Sequence, residues 1–173
     1  MRSDISLHRL SSTILLAMGW SGGHLRQFEI DGKFYGMPSD EFDTDMEPID
    51  EREVLLDSFD QDKLKSFVFE YDFGDGWMHA VELEDVLDPV MGQRYPKCIG
   101  GARKSPPDDC GGIGGYEEFL EAIRDPKHSE HESMIEWIGY KFDPEAFDLD
   151  HVNSHLRDAP RMEKIWWGED DEE

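Results

Sequence analysis

Residues 66–84 constrain the fold more than any other part of the sequence. Bulky side chains occupy every second position on both sides of a glycine-rich turn: Phe67, Phe69, Tyr71 and Phe73, then Trp77, His79, Val81 and Leu83. A period of two is typical of β-strands that bury one face. Gly74, Asp75 and Gly76 between the two halves indicate a β-hairpin.

The length of the turn decides which side chains face each other across this hairpin. A three-residue loop at 74–76 pairs bulky residues with bulky residues, whereas a two-residue loop would expose half of the aromatic rings, because a one-residue slip reverses every side chain. The sequence therefore predicts Gly76 in the left-handed conformation. The cross-strand pairs that it predicts are Phe73/Trp77, Tyr71/His79, Phe69/Val81 and Phe67/Leu83.

Three further elements are predicted before this hairpin. Apolar residues at helical spacing indicate a helix over 6–18, which Gly19 ends. Asp31-Gly32 indicates a tight turn between two short strands. The acid-rich segment 40–53 is typical of a solvated loop or a frayed helix, and a short strand is expected at 54–56.

The second half of the chain has helical signals. A long loop over 95–115, rich in Gly and Pro and holding both cysteines, precedes a helix that starts at Tyr116. Ser129 and Glu132 have the spacing of a capping box for the next helix. A last helical stretch is expected from Asp143-Pro144 to about residue 156.

Strands followed by helices predict an α+β fold: a mostly antiparallel sheet built from hairpins, with helices packed on one face. The length of 173 residues fits a single domain, which we assign to residues 1–160. Residues 161–173 are strongly acidic and are expected to form a disordered tail.

The charge of the chain limits its partners. Seventeen Lys and Arg against 41 Asp and Glu give a formal net charge of -24, which repels phosphate backbones and anionic membranes and attracts cations. Direct nucleic-acid binding and membrane association are therefore not expected. Two cysteines, no apolar leader at residues 1–10 and no apolar run long enough to span a bilayer favour a cytoplasmic protein.

Several motifs resemble those of a known family. The run from Tyr71 to His79 (Tyr-Asp-Phe-Gly-Asp-Gly-Trp-x-His) is joined by Tyr95-Pro-x-Cys98, Gly101-x-Arg103, Pro106-Pro-x-Asp-Cys-Gly-Gly112, Gly115-Tyr116, Asp125-Pro-x-His128 and Phe142-Asp-Pro144. Together these motifs, over about residues 7–156, resemble the plasmid pRiA4b ORF-3-like family.

The resemblance implies no catalytic residues. Members are often called transposon resolvases, but a serine recombinase needs a nucleophilic serine beside clustered arginines, and the arginines of this chain are scattered among acids. Members also usually open with an extra aliphatic strand before the first helix, whereas this chain begins at that helix. The loss of such a strand would leave an unpaired sheet edge.

Two groups of residues are candidate sites. Cys98, Cys110, His128 and His131 could supply four ligands to zinc, although their spacing matches no familiar zinc module and His131 lies on an apolar helix face that suits a core histidine. Asp72, Asp75 and His79 at the hairpin turn could bind a cation or act as acid and base, although Asp in a Gly-Asp-Gly turn is ordinary turn chemistry. His24, beside two glycines, is a further pocket candidate.

Three functions follow as hypotheses, and the third, a DNA-associated protein that acts through a partner, is disfavoured as direct binding by the net charge. The first is a binding or interaction module for an unidentified protein or small molecule. The second is a metal-dependent hydrolase that uses Asp72 and His79 of the hairpin with the loop carrying Cys98 and Cys110, and zinc is the cofactor that these residues would favour.

Overall fold

A computed structural model describes residues 1–38 and 47–157. The part of the predicted acidic loop at 40–46 and the predicted tail at 161–173 lie outside the described residues. In the described part of the chain, no helix has the length and the apolar character needed to cross a membrane.

Helix α1 (Leu7–Met18) agrees with the helix predicted over 6–18. The Ser6 side chain accepts a hydrogen bond from the backbone N–H of Arg9 and caps the first turn. Gly19 has φ 78° and ends the helix in the left-handed conformation that glycine adopts at low cost. Ser11 and Ser12 donate to the carbonyl of His8, which satisfies their buried hydroxyls within the helix.

The sheet contains five strands in the order β3-β2-β1-β4-β5. Their bounds are β1 (Arg26–Ile30), β2 (Lys33–Gly36), β3 (Ile49–Asp50), β4 (Ser66–Tyr71) and β5 (Trp77–Glu82). Every neighbouring pair is antiparallel except β2 and β3, which are parallel. The predicted α+β fold is confirmed, and the sheet is open and mixed rather than closed into a barrel.

The predicted cross-strand pairs of the β4–β5 hairpin are wrong by two residues. The observed pairs are Tyr71 with Trp77, Phe69 with His79 and Phe67 with Val81. The turn takes five residues, 72–76, because Asp72 leaves the strand with φ 55° and its carboxylate accepts the N–H groups of Gly74 and Asp75. A two-residue shift preserves which side chains share a face, and Gly76 has the predicted left-handed backbone, with φ 68°.

Four other features also differ from prediction. The short strand predicted at 54–56 is reduced to an isolated antiparallel bridge between Leu55 and Ser6, and Leu56–Ser58 is a 3-10 helix. A further strand lies earlier, at Ile49–Asp50, within the segment predicted to be a solvated loop. The capping box is wrong, because helix α3 (His131–Ile138) is preceded by Glu130 and has no side-chain cap. Helix α2 (Gly112–Arg124) starts inside the predicted loop, and α4 (Leu149–Arg157) starts later than predicted.

The main core lies between α1 and the sheet. Helix α1 supplies Leu7, Leu10 and Leu15, which pack with buried residues of the sheet and its flanks: Trp20, Phe28, Ile30, Tyr35, Leu64, Phe67, Phe69 and Tyr71. Helix α4 packs on α1 through Leu156 and Leu16. Helices α2 and α3 form a separate aromatic group, in which Phe119 contacts Trp137 and Phe142 edge to face.

Candidate functional site

Three loops meet at the end of strand β4. The loop after α1 is joined to the loop before α2 by two hydrogen bonds: Trp20 Nε1 donates to the carbonyl of Pro106 over 2.9 Å, and the Ser21 N–H donates to Asp108 over 2.7 Å. The β4–β5 turn joins the same loop, because the Gly111 N–H donates to the Asp75 carboxylate over 3.1 Å. Asp75 therefore positions the start of α2.

A histidine and two aspartates meet at this junction, one from each loop. Nε2 of His24 lies 3.0 Å from Oδ1 of Asp109 and 3.7 Å from Oδ2 of Asp72. All three ligand atoms lie within 4.8 Å of one another. Both aspartates have positive φ, 55° and 59°, a conformation that is uncommon outside glycine. We call His24, Asp72 and Asp109 the junction group.

Tyr71 lies beneath the junction group and is fully buried. Its ring packs against the His24 ring edge to face, with centroids 5.7 Å apart. The buried hydroxyl meets no partner at hydrogen-bonding geometry among the described residues. Burial, together with the charge of Asp108, raises the pKa of Tyr71 to about 12, so the hydroxyl stays protonated and acts as a donor.

The structure separates the residues predicted at the hairpin turn. Asp72 joins the junction group and Asp75 holds Gly111, but His79 points away from both, into the core. His79 Nδ1 lies 3.1 Å from the carbonyl of Phe69, and its ring packs against Trp20. Burial lowers the pKa of His79, which keeps the ring neutral.

Cys98, Cys110, His128 and His131 do not form a ligand group. Within residues 1–38 and 47–157, the junction group is the one set of three or more metal-ligating side chains that converge. Cys98 packs beside α1 and α4, and His131 Nδ1 lies 2.7 Å from the carbonyl of Ala122, as a satisfied helix-packing histidine does. Cys110 and His128 line one cleft, but burial and Asp75 raise the pKa of Cys110 to about 11, which suppresses the thiolate.

That cleft runs between α2 and α3 and has a volume of about 470 Å³. We call it the α2–α3 cleft. Its lining combines apolar side chains with carboxylates: Asp109, Cys110, Gly115, Glu118, Phe119, Glu121, Ala122, His128, Glu130, Met134 and Trp137. Asp109 belongs to both the cleft and the junction group. No lysine or arginine is among the described residues that line the cleft.

A buried charge network was not predicted. Arg26 Nη2 lies 2.6 Å from Oε1 of Glu51, and His8 Nδ1 lies 3.0 Å from the same oxygen. Arg26 is 3% exposed and Glu51 is fully buried. One signal in the sequence could have revealed it. Arg26 alternates with Phe28 and Ile30 along one strand, so its side chain faces the core as theirs do. A buried arginine requires a buried carboxylate.

Two comparisons relate the chain to proteins known from sequence. The family model described as "Plasmid pRiA4b ORF-3-like protein" matches residues 1–151. "Uncharacterized protein y4hQ" of Sinorhizobium fredii (strain NBRC 101917 / NGR234) is 38% identical over 156 residues, which are 89% of this chain and 79% of the relative.

A solved structure is also similar. The crystal structure of the protein of unknown function MM3350 from Methanosarcina mazei Go1 matches with a TM-score of 0.75 and 34% sequence identity. The match covers 87% of this chain and 84% of that chain. The same fold is therefore present in a relative from an archaeon.

Proposed function

Because the chain belongs to the plasmid pRiA4b ORF-3-like family, whose relatives named above have no stated activity, we propose a function from its geometry: it is a binding module. The α2–α3 cleft takes a basic side chain, lysine or arginine, from an extended segment of a partner protein. The observation that carries this proposal is the combination of an acidic rim with an aromatic floor in one cleft.

The shape of the cleft suits a side chain and its immediate neighbours. A volume of about 470 Å³ lies within the range of pockets that bind small groups, about 300–1,000 Å³. Phe119, Met134 and Ala122 provide apolar contact for the aliphatic stem of a long side chain.

The negative charge of the cleft favours a positively charged head group on the partner's side chain. Glu118, Glu121 and Glu130 lie on the rim and are exposed to solvent. Trp137 is 45% exposed, so its ring is available to a cation, and Trp is the aromatic residue that favours cation–π contact most. The net charge of -24 adds a long-range attraction that raises the rate of encounter with basic partners.

A peptide titration tests this proposal. We expect a short peptide with lysine at every second position to shift the indole N–H resonance of Trp137 in an NMR titration, and the same peptide with glutamine in place of lysine to leave it unchanged. Replacing both Glu118 and Glu121 by Gln should weaken binding about tenfold, since it removes two carboxylates that would pair with the head group. Trp137→Ala should weaken binding by a similar factor, since it removes the aromatic contact.

The control must separate the cleft from the charge of the whole chain. Glu82→Gln with Glu84→Gln removes the same two charges from a surface outside the cleft, and it should change the affinity less than twofold, as remote exposed charges do. Equal losses in the two double variants would show that the peptide follows only the net charge, and the proposal would then be wrong.

The alternative function, a metal-dependent hydrolase, has less support in the form first proposed. Asp72, His79, Cys98 and Cys110 do not line one site in the described structure. A raised thiol pKa also makes Cys110 a poor nucleophile and a poor zinc ligand at neutral pH.

A further inference from the structure

We propose that the junction group binds a divalent first-row transition-metal ion such as Mn²⁺ or Zn²⁺. His24 would supply an imidazole nitrogen, and Asp72 and Asp109 would each supply a carboxylate oxygen. This site is separate from the side chains that carry the peptide-binding proposal, apart from the shared Asp109.

The spacing of the three ligand atoms suits a single ion. Ligand atoms about 2.1 Å from one ion lie about 3 to 3.4 Å from each other. The two observed distances from His24 Nε2, 3.0 Å and 3.7 Å, bracket this range. All three ligand atoms lie within 4.8 Å of one another, which is close enough for them to converge on one ion.

The loops already fix the ligands in place. Oδ1 of Asp72 accepts the N–H groups of Gly74 and Asp75, which leaves Oδ2 turned toward His24. The loop that carries Asp109 is held by the bonds from Trp20 and Ser21 to its neighbours. The Asp72 carboxylate and the loop that carries Asp109 are therefore positioned before an ion binds, which favours affinity.

The hydroxyl of Tyr71 is a second, independent observation. The hydroxyl is fully buried and meets no partner at strict hydrogen-bonding geometry, although Ser21, Gly22 and Asp108 lie near it. A buried hydroxyl that is poorly satisfied costs up to about 1–3 kcal/mol. Tyr71 directly precedes Asp72 in the chain, and its ring packs edge to face against the ring of His24. A water molecule on the bound ion would donate a hydrogen bond to this hydroxyl oxygen and reduce the penalty.

The ligand set points to the class of ion. Carboxylates alone favour Mg²⁺ or Ca²⁺, whereas an imidazole shifts the preference toward transition metals. Three protein ligands leave at least one coordination position for water, as in catalytic rather than structural sites.

Mn²⁺ is the best probe, because thiolates bind it weakly and the two cysteines then contribute little. We expect electron paramagnetic resonance and calorimetric titrations to show about one tight Mn²⁺ per chain. Competition should place Zn²⁺ above Mn²⁺ and both above Mg²⁺ and Ca²⁺. His24→Asn and Asp109→Asn should each weaken Mn²⁺ binding about tenfold or more.

The matched control is the other pair of neighbouring histidines. The His151 and His155 rings lie 4.3 Å apart on α4 and could bind a metal by themselves. His151→Asn with His155→Asn should leave the tight Mn²⁺ equivalent unchanged. Loss of that equivalent in this control, but not in His24→Asn, would overturn the proposal, as would the absence of saturable binding.

Tyr71→Phe tests the role of the hydroxyl. Without metal this variant should have a thermal midpoint close to that of the wild type, because the hydroxyl meets none of its neighbours at strict hydrogen-bonding geometry. With Mn²⁺ it should gain less stability than the wild type, and an equal gain would contradict the role assigned to Tyr71. Trp137→Ala should keep Mn²⁺ binding, so a failure of the cleft proposal and a failure of the metal proposal are distinguishable.

Discussion

Glu51 carries a charge that has no access to water, and Arg26 neutralises it at 2.6 Å. The pair joins strand β1 to the segment after β3, and the backbone N–H of His8 in α1 donates to the carbonyl of Glu51. Ser11 Oγ accepts a further hydrogen bond from Nε of Arg26. The network therefore fixes α1 against the sheet through directional contacts, in addition to the apolar core.

Removing one partner of this pair should be costly. Arg26→Ala leaves Glu51 charged and buried, and we expect the free energy of unfolding to fall by about 3–5 kcal/mol. Urea denaturation followed by circular dichroism measures the loss. Arg103→Ala is the control, because the Arg103–Glu145 pair is exposed and screened by water. Similar losses in the two variants would show that burial does not set the strength of the Arg26–Glu51 pair.

His79 should make stability depend on pH. Because burial lowers its pKa in the folded state, the unfolded chain binds more protons below the ordinary histidine pKa of about 6.5. The His79 contribution to stability is therefore fully present above that pH and is lost as the pH falls from there through the lower pKa of the folded state. We expect His79→Phe to flatten the decline in thermal midpoint between about pH 7 and 5. An unchanged slope would contradict this assignment.

At the scale of elements, the start of α2 and the β4–β5 turn are built against each other. Gly112 has φ 67°, and a Cβ atom at this position would collide with the carbonyl oxygen of Asp75. Two separate reasons therefore favour glycine at this position: its positive φ, and the lack of space for a side chain beside the turn. This contact also sets where Asp109 and Cys110 lie.

Two glycines of the same helix should respond in opposite ways to alanine. Gly112→Ala should lower the free energy of unfolding by at least about 1 kcal/mol, since a side chain disfavours positive φ. Gly114→Ala meets nothing within 4 Å and should stabilise α2 by up to about 1 kcal/mol. Thermal denaturation of the two variants measures both effects. A stabilised Gly112→Ala variant would show that the turn does not press on the helix.

Local patterns were sufficient for some elements and insufficient for others. The apolar spacing of α1, its end at Gly19 and the alternation of β4 and β5 are all encoded within a few residues, so the sequence predicts them. The turn at 72–76 is set by a side-chain hydrogen bond of Asp72, which alternation does not reveal. Strand β3 has two residues and pairs in parallel with β2, so it has too short a pattern to detect.

The candidate site was predicted only in part, for the same reason. Asp72 was identified because it lies in a recognisable turn motif, and His24 was noted as an isolated histidine. Asp109 joins them only because hydrogen bonds bring the loop before α2 onto the loop after α1. Proximity between distant loops depends on tertiary packing, which one sequence without relatives does not reveal.

At the scale of the whole molecule, the acidic side chains have different roles in different regions. Glu51 is buried and compensated, Asp72, Asp75 and Asp108 hold loops together, and the rim of the α2–α3 cleft presents its carboxylates to solvent. The α2–α3 cleft is thus the place where solvent-exposed carboxylates lie beside an exposed aromatic ring.

Asp109 belongs both to the junction group and to the rim of the α2–α3 cleft. Binding of the proposed metal ion and binding of the proposed basic side chain are therefore thermodynamically linked. An ion bound to the Asp109 carboxylate would neutralise part of the charge that a lysine or arginine seeks in the cleft. The two ligands would then be antagonists, and reciprocity requires each to weaken the other by the same factor. The concentration of free metal would therefore set how strongly the protein holds its partner.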